Sequence, residues 1–108
     1  MTKSIEMEKL QLQVQKFAEK RKWQKYHSPK NLAMALSVET AELVEIFQWM
    51  ETDQSRKVDS ATLDHIEQEI GDIMIYLVNL ANQFNLNPLS AAQKKMKLNE
   101  SKYPVTDE

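Results

Sequence analysis

The sequence predicts an all-α fold: a bundle of four to five antiparallel helices in a single domain spanning residues 1–108. Only one Gly and three Pro occur in 108 residues, so few residues interrupt a helix. Apolar residues recur at helical spacing in four stretches, and none of them shows the alternation of a half-buried strand. A chain of this length forms one domain with a modest core.

Start and stop signals divide the first half of the chain into two helices. An apolar stripe predicts a first helix over residues 4–21. Ser28 followed by Pro29 is a helix start, with Ser as the cap and Pro in the first turn. This second helix is predicted to continue to about Met50, and the polar residues 51–59 form the loop after it.

The second half of the chain predicts two more helices. Asp59 or Ser60 can cap a third helix, which a long apolar stripe extends to about Asn85. Pro88 begins a fourth helix, which is predicted to end near Asn99. Residues 101–108 are expected to form a loose tail.

The third helix is apolar on more than one side, because residues 73–78 read Ile-Met-Ile-Tyr-Leu-Val. A helix that is apolar nearly all round is buried on all sides, and four helices from one small chain cannot supply that cover. We therefore expect a homo-oligomer whose core includes this helix, with a symmetric tetramer favoured over a dimer.

Composition argues against several classes of function. The formal net charge of −2 and the lack of a basic stripe argue against nucleic-acid binding and against an anionic membrane surface. There is no Cys, so disulfide frameworks and thiolate metal sites are excluded. No apolar stretch approaches the length of a membrane span, and the charged N-terminal residues do not resemble a signal peptide, which predicts a cytoplasmic protein.

Two acidic pairs lie within apolar helix patterns, Glu39 with Glu42 and Glu69 with Asp72. Residues three apart share a helix face, and their like charges repel unless a cation meets them. In an antiparallel hairpin, Glu42 lies about 12 Å before the loop and Glu69 about 13.5 Å after it, while Glu39 and Asp72 lie about 16 and 18 Å from it. One such pair is usually solvated surface. Two pairs at matched depths predict a divalent-cation site, and all-oxygen ligands favour Mg²⁺ or Mn²⁺.

Other metal and nucleophile chemistries lack their motifs. A di-iron bundle needs Glu-x-x-His on two helices, but Gln24 and Thr62 lie three positions before His27 and His65. There is no glycine-rich phosphate loop and no Cys nucleophile.

Flat rings and lysines are candidates for nucleotide contacts. Trp23 and His27 precede the second helix and Trp49 ends it, where rings can stack on a base, although packing explains a Trp equally well. Five lysines are candidates to neutralise phosphate charge: Lys30, Lys94, Lys95, Lys97 and Lys102. Surface lysines are common, so each of these taken alone favours a solvated role.

Four sequence blocks, residues 23–32, 39–49, 69–77 and 95–104, occur in an order that resembles the all-α nucleoside triphosphate pyrophosphohydrolases of the MazG-like group. The resemblance covers about residues 10–104 and points to the small single-domain branch that includes deoxycytidine triphosphate pyrophosphatases. It implies an oligomeric, Mg²⁺-dependent enzyme that cleaves a nucleoside triphosphate between the α and β phosphates. Such an enzyme removes unwanted deoxynucleotides before polymerases use them, and the resemblance favours dCTP-like substrates.

The resemblance also implies roles for individual residues. Metal ligands and catalytic acids of the family map onto Glu39, Glu42, Glu69 and Asp72, with Mn²⁺ as a substitute for Mg²⁺. Its substrate contacts map onto eight residues: Trp23, His27, Lys30, Trp49, Tyr76, Lys95, Asn99 and Lys102. In the deoxycytidine-preferring branch a His lies nine residues before the Trp, and Val14 occupies that position here, which leaves the base preference open.

Two other functions fit the same residues. In one, the chain is a non-enzymatic helical interaction module whose acids bind a basic partner. In the other, it is a metal-dependent hydrolase of a related nucleotide. Release of pyrophosphate from a triphosphate with Mg²⁺ would separate the pyrophosphohydrolase from both.

Overall fold

The computed structural model describes residues 2–106 and the side chains of residues 5–106. It contains four α-helices, numbered in chain order: α1 (Thr2–Lys20), α2 (Pro29–Phe47), α3 (Ser60–Gln83) and α4 (Pro88–Lys102). Short 3₁₀ helices at Gln24–Tyr26 and Gln54–Arg56 lie in the first two connections. Residues 2–106 contain no strand, so the all-α prediction is confirmed.

Three of the helices begin at capping side chains. The backbone N–H of Asn31 donates to Ser28 Oγ at 3.1 Å at the start of α2. The N–H of Thr62 donates to Asp59 Oδ1 at 2.8 Å at the start of α3. Hydrogen bonding from the Thr62 side chain, and then from this N–H, holds the pKa of Asp59 below its ordinary value. Asn87 caps α4 in the same way. Each cap satisfies a backbone donor that has no partner within its helix, which fixes where the helix starts.

Two helix ends differ from the prediction by about three residues, and the others lie within two residues of it. α2 ends at Phe47, where the chain turns into the second connection, and not near residue 50. α4 does not end near Asn99 but continues to Lys102. It stops there because the residue before a proline avoids the helical conformation, and Tyr103, which precedes Pro104, has φ −127° and ψ 72°.

The predicted tail, residues 101–108, therefore begins inside α4. Residues 103–106 lie beyond the helix. Residues 107 and 108 lie outside the described part of the chain.

The helices pack around α3, because α2 lies along it and α1 packs against both α3 and α4. Gln11 Nε2 donates to Asn82 Oδ1 at 3.0 Å, and Asn82 Nδ2 donates to Gln11 O at 3.1 Å, which joins the middle of α1 to the end of α3. Later residues of α1 lie beside earlier residues of α3, so these two helices are antiparallel. The buried apolar side chains among the described residues are few: Val14, Ala18, Leu32 and Val78.

A single copy of the chain leaves much apolar surface exposed. Its radius of gyration is 16.9 Å, compared with about 13 Å for a compact chain of this length. Leu63, Ile70, Met74 and Leu77 form one stripe along α3, and they are 57%, 54%, 40% and 39% exposed. Apolar stripes of this kind mark interaction surfaces.

No helix within residues 2–106 combines the length and the apolar character needed to cross a membrane.

Candidate active site

Three carboxyl groups from two helices converge on one point. Glu39 on α2 and both Glu69 and Asp72 on α3 each offer one oxygen, and these three oxygens lie within 4.8 Å of one another. They meet because α2 and α3 fold back on each other across the connection at residues 48–59. Three carboxylates so placed can offer ligands to a single metal ion.

Glu42 lies outside this three-residue cluster and is exposed. The depths along the predicted helices place Glu42 level with Glu69, but the structure brings Glu39 to Glu69 instead. The earlier end of α2 explains the difference. With α2 ending at Phe47, Glu39 lies about 12 Å before the loop and matches Glu69 at about 13.5 Å after it.

Water has little access to part of the acidic cluster: Glu69 is buried, Glu39 is half-buried and Asp72 is exposed. Glu69 is 7% exposed, and the Oε2 atoms of Glu39 and Glu69 are buried with no hydrogen-bond partner among the described residues. The pKa of Glu39 is raised to about 7, chiefly by burial and also by the nearby carboxyls of Glu42, Glu69 and Asp72. Buried carboxylate oxygens without donors are costly, so this arrangement suits a bound cation.

His65 is a neighbour of the cluster that the sequence analysis missed. Its Nε2 lies 3.6 Å from Glu69 Oε1, and its side chain is 58% exposed. The two residues are four apart on α3, a spacing that puts side chains on one face, so the sequence carried this signal. This distance is longer than a hydrogen bond, so His65 does not satisfy the Glu69 carboxylate.

A cavity of about 430 Å³ lies beside the acidic cluster, and Asp72 belongs to both. Four of the predicted site residues line it: Trp23, His27, Asp72 and Tyr76. Seven further lining residues were not predicted as site residues: Leu10, Gln13, Val14, Phe17, Ala18, Ile75 and Asn79. These seven residues recur at helical spacing on α1 and α3. Because core packing explains such a stripe equally well, the pattern alone did not predict that they line a binding site.

An aromatic cluster forms the wall at the end of α1. The rings of Phe17 and Trp23 meet edge to face with centroids 5.7 Å apart, and Trp23 lies 6.1 Å from His27. The guanidinium of Arg21 lies 3.5 Å from the centroid of the Phe17 ring. Packed against each other in this way, the rings present a firm surface on which a flat ligand can lie.

The other five predicted substrate residues do not line this cavity: Lys30, Trp49, Lys95, Asn99 and Lys102. Trp49 lies just after α2 and is 89% exposed. The last three lie along α4, which supplies no residue to the cavity wall. A single copy of residues 2–106 therefore does not gather all of the predicted substrate contacts.

Residues 34–108, well over half of the chain, match the MazG-like family. This chain belongs to the MazG-like family. The resemblance found in the sequence is thus confirmed. The matched part of this MazG-like chain contains Glu39, Glu69, Asp72 and Tyr76, whereas Trp23 and the α1 wall lie before it.

Curated relatives and a solved structure extend the comparison. The MazG-like chain is 36% identical over 91 residues to dCTP pyrophosphatase 1 of Bos taurus, which is 82% of this chain and 54% of the relative. The Homo sapiens protein of the same name is 34% identical over 91 residues, with the same coverage of 82% and 54%. The chain thus spans about half the length of the curated relatives that it matches. A crystal structure of a pyrophosphatase from Archaeoglobus fulgidus is 44% identical, with a TM-score of 0.86 over 93% of this chain and 94% of that one.

Proposed function

We propose that this MazG-like chain hydrolyses nucleoside triphosphates to a monophosphate and pyrophosphate, with dCTP-like deoxynucleotides favoured. In this role it clears unwanted nucleotides from the cytoplasmic pool. The observation that carries the proposal is the position of Asp72, which belongs both to the acidic cluster and to the wall of the cavity. This position puts a cation site next to a space lined by rings. The names of the relatives, dCTP pyrophosphatase 1 and pyrophosphatase, support the same reaction.

The residues of the acidic cluster fit Mg²⁺, with Mn²⁺ as a substitute. All of the donors are carboxylate oxygens, which hard divalent cations prefer. Two buried oxygens, on Glu39 and Glu69, have no other partner among the described residues. In the proposal Glu39, Glu69 and Asp72 hold the metal, and Glu42 joins them from the exposed side. When bound, the ion offsets the charge of the triphosphate and polarises the phosphate that is attacked.

A carboxylate at the edge of the acidic cluster is needed to handle a proton during hydrolysis. Glu42 is exposed and lies beside Glu39, whereas a carboxylate that binds the ion must first lose its own proton. We assign to Glu42, with Glu39 beside it, the role of orienting the attacking water and accepting its proton.

The cavity is the proposed nucleotide site, and Trp23, His27 and Tyr76 are its proposed ring and side-chain contacts. Stacking on such rings holds a base without demanding one particular base. Five residues that do not line the cavity are proposed to contact the substrate where it extends out of the cavity, chiefly at the triphosphate: Lys30, Trp49, Lys95, Asn99 and Lys102. Charge on the pyrophosphate leaving group is offset by the lysines of this set.

We propose further that the chain acts as a homo-oligomer, with a tetramer favoured. The exposed stripe formed by Leu63, Ile70, Met74 and Leu77 supports this proposal, since another copy of the chain would cover it. In such an assembly, residues of α4 reach the site of a neighbouring copy.

A panel of nucleoside triphosphates tests the proposed reaction. The chain is incubated with each triphosphate and either Mg²⁺ or a chelator, and products are separated by chromatography. We expect monophosphate and pyrophosphate with Mg²⁺ only. Release of phosphate alone, or turnover of a diphosphate, would favour hydrolysis of a related nucleotide, and no turnover of any nucleotide would favour the interaction module.

A further inference from the structure

His65 lies beside the acidic cluster and has no role in the hydrolysis described above. Its Nε2 atom lies 3.6 Å from Glu69 Oε1, and its side chain is 58% exposed. Among residues 5–106, no Lys or Arg side chain forms an ion pair with Glu69. Within this part of the chain, His65 is therefore the one basic side chain that meets the buried acid.

The Glu69 side chain is buried without a donor that would stabilise its charge. It is only 9% exposed, and its Oε2 atom has no hydrogen-bond partner among the described residues. The His65 ring faces the other oxygen, Oε1, and does not supply that partner. A buried carboxylate in this position is costly unless a cation meets it. A cation bound between the two side chains would contact both of them.

One face of α3 holds the imidazole and two carboxylates in a row. His65, Glu69 and Asp72 follow the spacing i, i+4 and i+7, which places side chains along one helix face. Glu69 and Asp72 belong to the acidic cluster, so His65 extends the cluster by one turn toward the start of α3. The donor at that end is a ring nitrogen, whereas the three clustered donors are carboxylate oxygens.

A nitrogen donor changes which ions the cluster prefers. Carboxylates suit Mg²⁺ and Mn²⁺, whereas imidazole suits Zn²⁺, Ni²⁺ and Cu²⁺. Zn²⁺ binds both donor types at about 2.0–2.2 Å, so two ligands in its tetrahedral arrangement lie about 3.4 Å apart. Adjacent ligands in the octahedral arrangement of Mg²⁺ lie only about 2.9 Å apart. The distance of 3.6 Å between His65 Nε2 and Glu69 Oε1 is closer to the tetrahedral spacing.

We propose that His65 is a nitrogen ligand at the edge of the acidic cluster, and that together with Glu69 it binds a first-row transition ion such as Zn²⁺. This inference rests on the proposed function for the use of the acidic cluster as a metal site, and it goes beyond that function in the kind of ion bound. Water completes the coordination on the exposed side of the imidazole. The chain thereby gains an affinity for transition ions that its three clustered carboxylates would not give it.

Calorimetric titration of the metal-free chain with Zn²⁺ alone and with Mg²⁺ alone, at one fixed pH, tests the proposal. His65→Ala should weaken Zn²⁺ binding at least about tenfold, because losing a group that only supports a metal ligand already costs about 10–100-fold. Its affinity for Mg²⁺ should change by less than about twofold, since Mg²⁺ prefers oxygen ligands. His27→Ala is the matched control, because it removes the other imidazole of the chain, which packs beside Trp23. It should keep the wild-type affinity for Zn²⁺.

Nuclear magnetic resonance of the imidazole protons tests the wild type itself. The chain has two His residues, so either variant assigns both sets of signals. Zn²⁺ should shift the His65 signals and leave the His27 signals in place.

Three results would each overturn the inference: equal Zn²⁺ affinity in the wild type and His65→Ala, equal losses of Zn²⁺ and Mg²⁺ affinity in that variant, or His65 signals that Zn²⁺ does not shift. Failure of the proposed function looks different. In that case the wild type would release no pyrophosphate from any triphosphate with Mg²⁺, whatever its affinity for Zn²⁺.

Discussion

Glu39 links the protonation of the acidic cluster to the stability of the fold. Burial is the main cause that raises its pKa from an ordinary value of 4.5 to about 7. Without metal, the folded chain therefore holds this proton more tightly than the unfolded chain does. Between these two values the folded state binds more protons, so the free energy of unfolding falls as pH rises through this window.

Replacing Glu39 should remove this pH dependence. We expect metal-free Glu39→Gln to be more stable than the wild type at pH 8 by about 1–2 kcal/mol, after allowance for solvent screening, and nearly equal to it at pH 4.5. Urea unfolding across this pH range in the presence of a chelator measures the difference. Parallel stability curves for the two proteins would contradict it.

Mg²⁺ binding should favour the ionised form of the Glu39 carboxylate, whereas burial favours its protonated form. A metal ligand must lose its proton to bind, so Mg²⁺ is expected to raise the melting temperature of the wild type more at pH 8 than at pH 6. The Glu39→Gln variant should show a much smaller rise. An equal rise in both proteins would place the ion elsewhere.

Glu69 is the most buried of the acids, and its loss should stop the reaction. Glu69→Gln is expected to lower Mg²⁺-dependent pyrophosphate release at least about 100-fold. Losing a side chain that only hydrogen-bonds to a metal ligand already lowers activity by up to about 100-fold, and Glu69 is proposed as a ligand itself. The control is Glu67→Gln, an exposed acid on the same helix outside the cluster. Circular dichroism should show unchanged helix content in both variants. Full turnover by Glu69→Gln would show that the acidic cluster is not needed for the reaction.

At the scale of single elements, the start of α2 is fixed by one hydroxyl. Ser28 Oγ accepts from the N–H of Asn31 at 3.1 Å, so Ser28→Ala should lower the free energy of unfolding by about 1 kcal/mol. Ser37→Ala is the matched control on the same helix, because the Ser37 hydroxyl donates only to the carbonyl oxygen of Met34 within the helix. Its effect should stay within about 0.5 kcal/mol. Unfolding at one fixed protein concentration compares them, and equal losses would count against the cap.

The helices were predictable because their signals are local. Ser28, Asp59 and Asn87 each cap a helix through a side chain three residues from its partner, and a residue pattern can express that relation. The end of α2 has no comparable signal. The error of about one turn at Phe47 was enough to pair Glu42, in place of Glu39, with Glu69.

At the scale of the whole molecule, the exposed stripe on α3 predicts self-association. We expect the wild type to have a solution mass that is a multiple of the 12.6 kDa chain mass. Met74→Glu places a charge in the middle of the stripe and should shift the protein toward the monomer, because burying an unpaired charge is costly. Light scattering coupled to size exclusion measures the mass.

Gln83→Glu is the control for Met74→Glu, since it adds the same charge to an exposed position on the far side of α3. It should leave the assembly as in the wild type. A wild type that runs as a monomer at every concentration would contradict the proposed oligomer.

The sequence by itself determined the four helices, where they start and the two acidic pairs on α2 and α3, because each depends on residues within a turn or two of one another. The tertiary structure decided which carboxylates meet and which residues line the cavity, since both depend on the register of α1 and α2 against α3. Gln13 and Asn79 lie 66 positions apart in the chain, and only the antiparallel packing of α1 on α3 brings them to one wall. The physical reason is that helix formation is local, whereas the register between helices follows from contacts that no local pattern records.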